Sequence, residues 1–234
     1  TNVPGFSAFN DSSTLATWLH DSGYKTALIG KYLNRYSPTS TNPYIPPGWD
    51  WFQAFRGNPG YYSYSLTNYV NGVNGTSVSY GTKESDYSTD VLAGKAVDFI
   101  NATESNDAQP FFLYFSVNAP HNPSTPANRH STAYSSIAPH RPPSFNEQDV
   151  SDKPSWIKSL SLLTSSQIST IDANRKNELR TLLAVDEAIE TVKNTLQAKG
   201  ELDNTVIIFL GSDNGFHWGE HRIRTGKQSP YEEA

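Results

Sequence analysis

Asp213-Asn214-Gly215, with Gly219-Glu220-His221 and Gly226-Lys227 close behind, sets oxygen donors beside cationic or protonatable side chains. A carboxylate next to an amide offers hard oxygen ligands, which suit Ca2+ or Mg2+ better than zinc or copper. His221 suits contact with an anionic substrate, and Lys227, reached past a glycine, can bring a compact point charge close to a transferring group. Oxygen ligands for a divalent cation beside cationic anchors compose a site for a phosphate-like or sulfate-like ester. Lys31 follows a short apolar run, and His121 stands between Pro120 and Asn122-Pro123, where prolines stiffen the backbone. A histidine held near an ester can protonate the leaving oxygen or hydrogen-bond the anion. Taken singly, Asp-Asn-Gly also makes an ordinary turn, and Lys31 can be a solvated lysine. Two ligands also fall short of the roughly 6 to 8 oxygens that Ca2+ takes, so further ligands must come from elsewhere.

The elements that must position these residues follow from periodicity. Thr26–Gly30, Phe111–Val117 and Thr205–Leu210 read as three short buried strands, rich in β-branched and aromatic residues. Helical spacing covers Ser13–Tyr24 through Leu15, Trp18 and Leu19, with Ser12 or Ser13 as N-cap and Gly23 as the stop. It returns over Ser88–Ala102, and over Lys176–Lys199 through Leu179, Leu182, Leu183, Ile189, Val192 and Leu196. Asn71-Gly72 and Asn74-Gly75 predict a hairpin between Tyr64 and Tyr80. The stretch from Asn118 to about Ser166 is aperiodic. It reads as a lid or substrate-contacting segment, or as a meandering surface excursion. Helix, strand, helix, strand, helix, strand implies an α/β fold whose mainly parallel sheet is sandwiched by helices. Ligands bind beyond the carboxyl ends of such strands, where Lys31, Pro120-His121 and Asp213-Asn214 would gather. Tyr61, Tyr62 and Tyr64 read as hairpin packing rather than a sugar pocket, Trp49 and Trp51 as loop anchors, and Asp186-Glu187 as a polar helix face or a helix-to-loop tie.

Composition narrows the class. The 234 residues carry a net charge of -5, with 36% hydrophobic and 18% charged residues. An acidic balance argues against nucleic acid as the main partner. No apolar run approaches the roughly 20 residues of a membrane span. With no Cys there is no disulfide framework and no thiolate metal site; with no Met, and Thr1 first, the chain is not expected to be a complete translation product. Sequons at Asn10, Asn74 and Asn101 are candidate glycosylation sites and favour a secreted, extracellular or lysosome-like location.

Gly30-Lys31-Tyr32-Leu33-Asn34, Pro46-Pro47-Gly48-Trp49-Asp50, Ala119-Pro120-His121, Leu183-Ala184-Val185-Asp186-Glu187, Ser212-Asp213-Asn214-Gly215-Phe216 and Gly219-Glu220-His221 through Gly226-Lys227 together resemble a type I sulfatase of the alkaline phosphatase superfamily. The likeness is closest to arylsulfatases and N-acetylglucosamine-6-sulfatases. It implies hydrolysis of aryl or amino-sugar sulfate esters, with a small-molecule or glycan sulfate ester as the partner. It further implies Ca2+ on Asp213 and Asn214, Lys31 and Lys227 clamping the sulfate, and His121 binding it and assisting the leaving oxygen. The family's nucleophile is a formylglycine made from Cys-x-Pro-x-Arg or Ser-x-Pro-x-Arg. Neither signature occurs here, nor does the paired Asp-Asp that completes the calcium site. Leu33 also departs from the pattern, since many sulfatases have a histidine there. The 234 residues thus read as the central part of a sulfatase catalytic domain, with a loop and hairpin insertion at about 32–87 and a long loop at about 118–166. Alone they are expected to give no turnover. A phosphonate monoesterase or phosphodiesterase of the same superfamily, and a noncatalytic fragment binding anionic glycans, are the alternatives.

Overall fold

In the computed structural model, residues 5–38, 44–105, 109–212 and 214–234 are described. At the centre lies β1 (Lys25–Gly30), in which every residue after Lys25 is buried. It pairs in parallel with β2 (Trp51–Ala54) on one side and with β5 (Phe111–Ser116) on the other. The antiparallel hairpin of β3 (Tyr64–Val70) and β4 (Val73–Tyr80) extends the sheet beyond β2, giving the order β4-β3-β2-β1-β5. Asn71 and Gly72 make the expected turn with φ of 48° and 81°, the left-handed pair that matches the twist of the two strands. The segment 32–87, read from sequence as an insertion, thus supplies three of the five strands.

Alternation along β1 builds two layers. Ala27 and Ile29 pack with Phe55 and Leu66 against Leu92, Ala96, Phe99 and Ile100 of α2 (Ser88–Thr103) and Leu196 of α4 (Ser165–Lys199). Leu28 faces the other way into Tyr36, Phe52 and Ala54, bordered by Phe6, Tyr32 and Trp49. Edge-to-face contacts join Phe52 to Tyr32 and to Tyr36, both at 5.3 Å. An aromatic cluster, with α1 (Leu15–Asp21) packing on β1, therefore does on this side what two long helices do on the other.

Four expectations change. The first helix starts later, capped by Thr14, whose side chain accepts from Thr17 N. Its Leu15 and Trp18 are 53% and 58% exposed, because Ala16 and Thr17 form the inner face instead. Gly48 explains the inversion: a Cβ there would stand 2.5 Å from Thr17 N, so the Pro-Pro-Gly turn lies directly on the helix. The last helix begins at Ser165 rather than Lys176, started by a Thr164/Gln167 capping box, and runs about 50 Å to Gly200. The aperiodic stretch before it holds two short helical turns, a 3-10 turn at Asn128–His130 and α3 (Ser155–Lys158).

The fourth change bears most on function. Thr205–Leu210 forms no strand, and Val206, Ile207, Ile208, Phe209 and Leu210 are 55–85% exposed. High β-propensity yields a strand only where a neighbouring strand supplies partners for the backbone. The outer side of β5 is the sheet's edge, and this run does not pair with it.

Candidate functional site

Two strand ends, rather than three, meet at the carboxyl edge of the sheet. Gly30 and Ser116 are register partners, and Lys31 N donates to Ser116 O at 2.7 Å while Ser116 Oγ donates to Lys31 O at 2.6 Å. The crossing is tight: a Cβ on Gly30, whose φ is 122°, would lie 1.8 Å from Ser116 O. Lys31 is thereby pinned beside the segment that carries His121. Its ammonium is half-buried, and desolvation lowers its pKa.

His121 sits on a loop with cis peptides at Ala119-Pro120 and Asn122-Pro123. Its Nδ1 lies 2.7 Å from Asn122 O; a carbonyl only accepts, so Nδ1 carries a proton, and in the neutral ring it is Nε2 that presents the lone pair. The ring is exposed, while the backbone beneath it is held. Tyr61 OH donates to His121 O at 2.9 Å, and Ser124 Oγ donates to Pro120 O at 2.9 Å. Asn118, between β5 and this loop, is 6% exposed, and its Nδ2 has no hydrogen-bond partner among the described residues.

Asn214 and Lys227 belong to a second group. His217 N donates to Gly226 O at 2.8 Å, which folds Lys227 back beside the turn that follows Asn214. Lys227 is exposed. Asn214 Nδ2 donates to Gly215 O at 2.7 Å, and no donor to its Oδ1 is found among the described residues, so this amide fits an oxygen ligand for a hard cation. Asp213 lies outside the described residues. Among those described, no group of three or more His, Asp or Glu could hold a metal ion. No hydrogen bond or ion pair among the described residues joins Lys31 and His121 to Asn214 and Lys227.

His221 is 8% exposed, and both of its ring nitrogens are engaged. Nδ1 lies 3.0 Å from Glu147, Nε2 lies 3.3 Å from Glu233, and the ring stacks on Tyr231 at 4.2 Å. The residue expected to contact substrate therefore also ties the segment after Asn214 to the long loop. Glu220 extends that tie with His140 at 3.3 Å, and burial holds the neighbouring His217 below the usual histidine range. Asn10 is exposed in a loop, Asn101 is exposed on α2, and Asn74 falls within β4. Sequence reasoning missed Ser116, Tyr61 and Glu147 as supports. Only Ser116, the one hydroxyl ending an apolar run, left a local signal.

The sulfatase family model matches residues 4–234. The chain belongs to the sulfatase family. This sulfatase chain is 33% identical over 236 residues to the extracellular sulfatase SULF-1 homolog of Drosophila melanogaster, covering 98% of itself and 20% of that protein. It is 34% identical over 215 residues to N-acetylglucosamine-6-sulfatase of Capra hircus, covering 90% of itself and 37% of the relative. It thus spans little more than a third, at most, of these relatives. The solved structure of BT4656 in complex with its substrate D-glucosamine-2-N,6-O-disulfate aligns over 96% of this sulfatase chain and 54% of that one, with a TM-score of 0.68 and 24% identity. That likeness supports the α/β fold with its flanking helices.

Proposed function

We propose that the full protein hydrolyses sulfate monoesters, with an aryl or amino-sugar alcohol as the leaving group. The observation that carries this reading is the pairing of β1 with β5, which ties a half-buried lysine to the end of the strand that leads to His121, in a chain of the sulfatase family. A partly desolvated ammonium attracts an anion strongly, and the arriving sulfate replaces the water that Lys31 lost. His121 Nε2, able to take up and release a proton, serves the leaving oxygen. Lys227 supplies a second positive charge. Asp213 and Asn214 are the residues that would hold Ca2+ or Mg2+, whose part is to offset charge on the sulfate oxygens. The formylglycine typical of the family would supply the attacking oxygen, and its source motif is not among these 234 residues. These residues alone are therefore expected to bind sulfate without turnover. The sequons, and the extracellular relative, support a secreted protein.

The test compares the full-length protein on nitrophenyl sulfate, N-acetylglucosamine 6-sulfate and nitrophenyl phosphate esters. Sulfate turnover is expected to exceed phosphate turnover, and Lys31→Met is expected to lower kcat/KM by at least about 100-fold. Burial of the Lys31 charge costs stability, so the same variant should raise Tm in anion-free buffer yet lose the upward shift that sulfate gives the parent. Preference for phosphate or phosphonate esters, or sulfate binding with no hydrolysis by the full-length protein, would overturn the reading.

A further inference from the structure

Tyr61 and Tyr87 grip the His121 loop from beneath in a way the sulfatase reading does not require. Their rings stack at 6.0 Å with 29° between planes, and they are 3% and 0% exposed. Each hydroxyl donates to a backbone carbonyl of the same loop: Tyr61 OH to His121 O at 2.9 Å, and Tyr87 OH to Thr125 O at 3.1 Å. The stack is itself fixed. Ser88 N donates to Tyr61 O at 2.9 Å, and Ala127 and Ala184 complete the cluster around both rings. Two carbonyls four residues apart are therefore held by one rigid platform between the start of α2 and the middle of α4.

We propose that Tyr61 and Tyr87 are positioning residues for His121, setting the ring's direction and tautomer through the backbone. Holding His121 O sets the plane of the 121–122 peptide, and holding Thr125 O anchors the chain beyond it, so the two together bracket Asn122 O, the acceptor for Nδ1. That hydrogen bond keeps the proton on Nδ1 and leaves Nε2 free for the substrate's leaving oxygen. Burial pushes the Tyr61 hydroxyl up to about 12, and desolvation raises Tyr87 as well, so both remain donors throughout the neutral range. Tyrosine is needed rather than phenylalanine because the ring packs and the hydroxyl aims, and only the second property serves His121. The inference rests on the role given to His121 above.

The experiment uses the full-length protein labelled with 15N-histidine, as the parent, Tyr61→Phe, Tyr87→Phe and the double variant, each checked for fold by circular dichroism. Phenylalanine keeps the stack, so Tm should fall by only a few degrees. In the parent, the His121 ring should show a protonated Nδ1 and an unprotonated Nε2. In Tyr61→Phe it should show averaged nitrogens from mixed tautomers, with Tyr87→Phe giving a smaller change in the same direction. In turnover, kcat for Tyr61→Phe should fall about tenfold or more with KM within about twofold, because misaimed proton transfer slows chemistry more than binding. Unchanged ring nitrogens in Tyr61→Phe and in the double variant, with a folded protein, would overturn the proposal. Altered ring nitrogens with unaltered turnover would support the positioning role while counting against the catalytic role of His121, so the two ideas fail separately.

Discussion

Glu178 stands on α4 close enough to Tyr61 for its charge to raise that hydroxyl's pKa, and burial in turn lifts its own carboxyl to about 7. A carboxyl whose folded pKa exceeds its unfolded value binds its proton more tightly when folded. The fold therefore gains most below the unfolded pKa, and that gain drains away as pH rises from about 4.5 through 7. Glu178→Gln should raise Tm by about 2–4 °C at pH 8.5 and leave it nearly unchanged at pH 4, as thermal melts across that range would read out. An equal shift at both pH values would mean that packing, not ionisation, controls the site. Glu178 drew no attention in the sequence, since a glutamate on a helix usually faces water. Lys31 stood out in the sequence because it directly follows a recognisable run, and His121 because prolines flank it a few residues past another. Tyr61 read as hairpin packing, but its buried ring packs on Tyr87, Ala127 and Ala184 instead, and its hydroxyl's partner lies 60 residues away, a bond no local pattern announces.

Among the elements, the β1–β5 crossing is the least tolerant. Gly30 combines a left-handed φ of 122° with a Cβ position 1.8 Å from Ser116 O, so Gly30→Ala must both strain the backbone and push the strands apart. A loss above about 3 kcal/mol is expected in urea melts, with Lys31 displaced and sulfate binding lost. Gly94 gives the contrast. It lies within α2 where a Cβ meets nothing within 4 Å, so Gly94→Ala should add about 1 kcal/mol. Matching losses for both would show that the crossing is not special. The strand β1 and the helix α2 were readable because their apolar spacing agrees with their burial, and the β3–β4 hairpin because of its Asn71-Gly72 turn; β5 was readable from its aromatic run, although none of its residues is fully buried. β2 was hidden, since four residues after Pro-Pro-Gly-Trp-Asp look like loop until β1 pairs with them. The third expected strand had the right composition, but pairing needs a neighbour that spacing cannot supply.

For the molecule as a whole, that unpaired run is a surface property. Five consecutive apolar side chains, 55–85% exposed, make a patch that neighbouring molecules can pair with, and β5 leaves an open sheet edge as well. The 234-residue chain should bind an apolar dye and associate as concentration rises. Ile208→Lys with Phe209→Glu should cut both by at least about threefold in dye fluorescence and light scattering, and no change would shift the cause elsewhere. A different surface is held by guanidinium groups. Arg129 bridges Asp90 of α2 and Glu187 of α4 at 2.7 and 2.6 Å, the helix-to-loop tie expected at Glu187, and Arg141 holds Asp172 at 2.6 Å. Both arginines belong to the stretch that begins at His121's loop, and all three pairs face water in part. Dissolved salt shortens the reach of such charges to about 8 Å at 0.15 M and 3 Å at 1 M. The stretch that follows His121 is thus fastened by contacts that a brine loosens, while the tyrosine platform beneath the His121 loop, buried and uncharged, is indifferent to ionic strength.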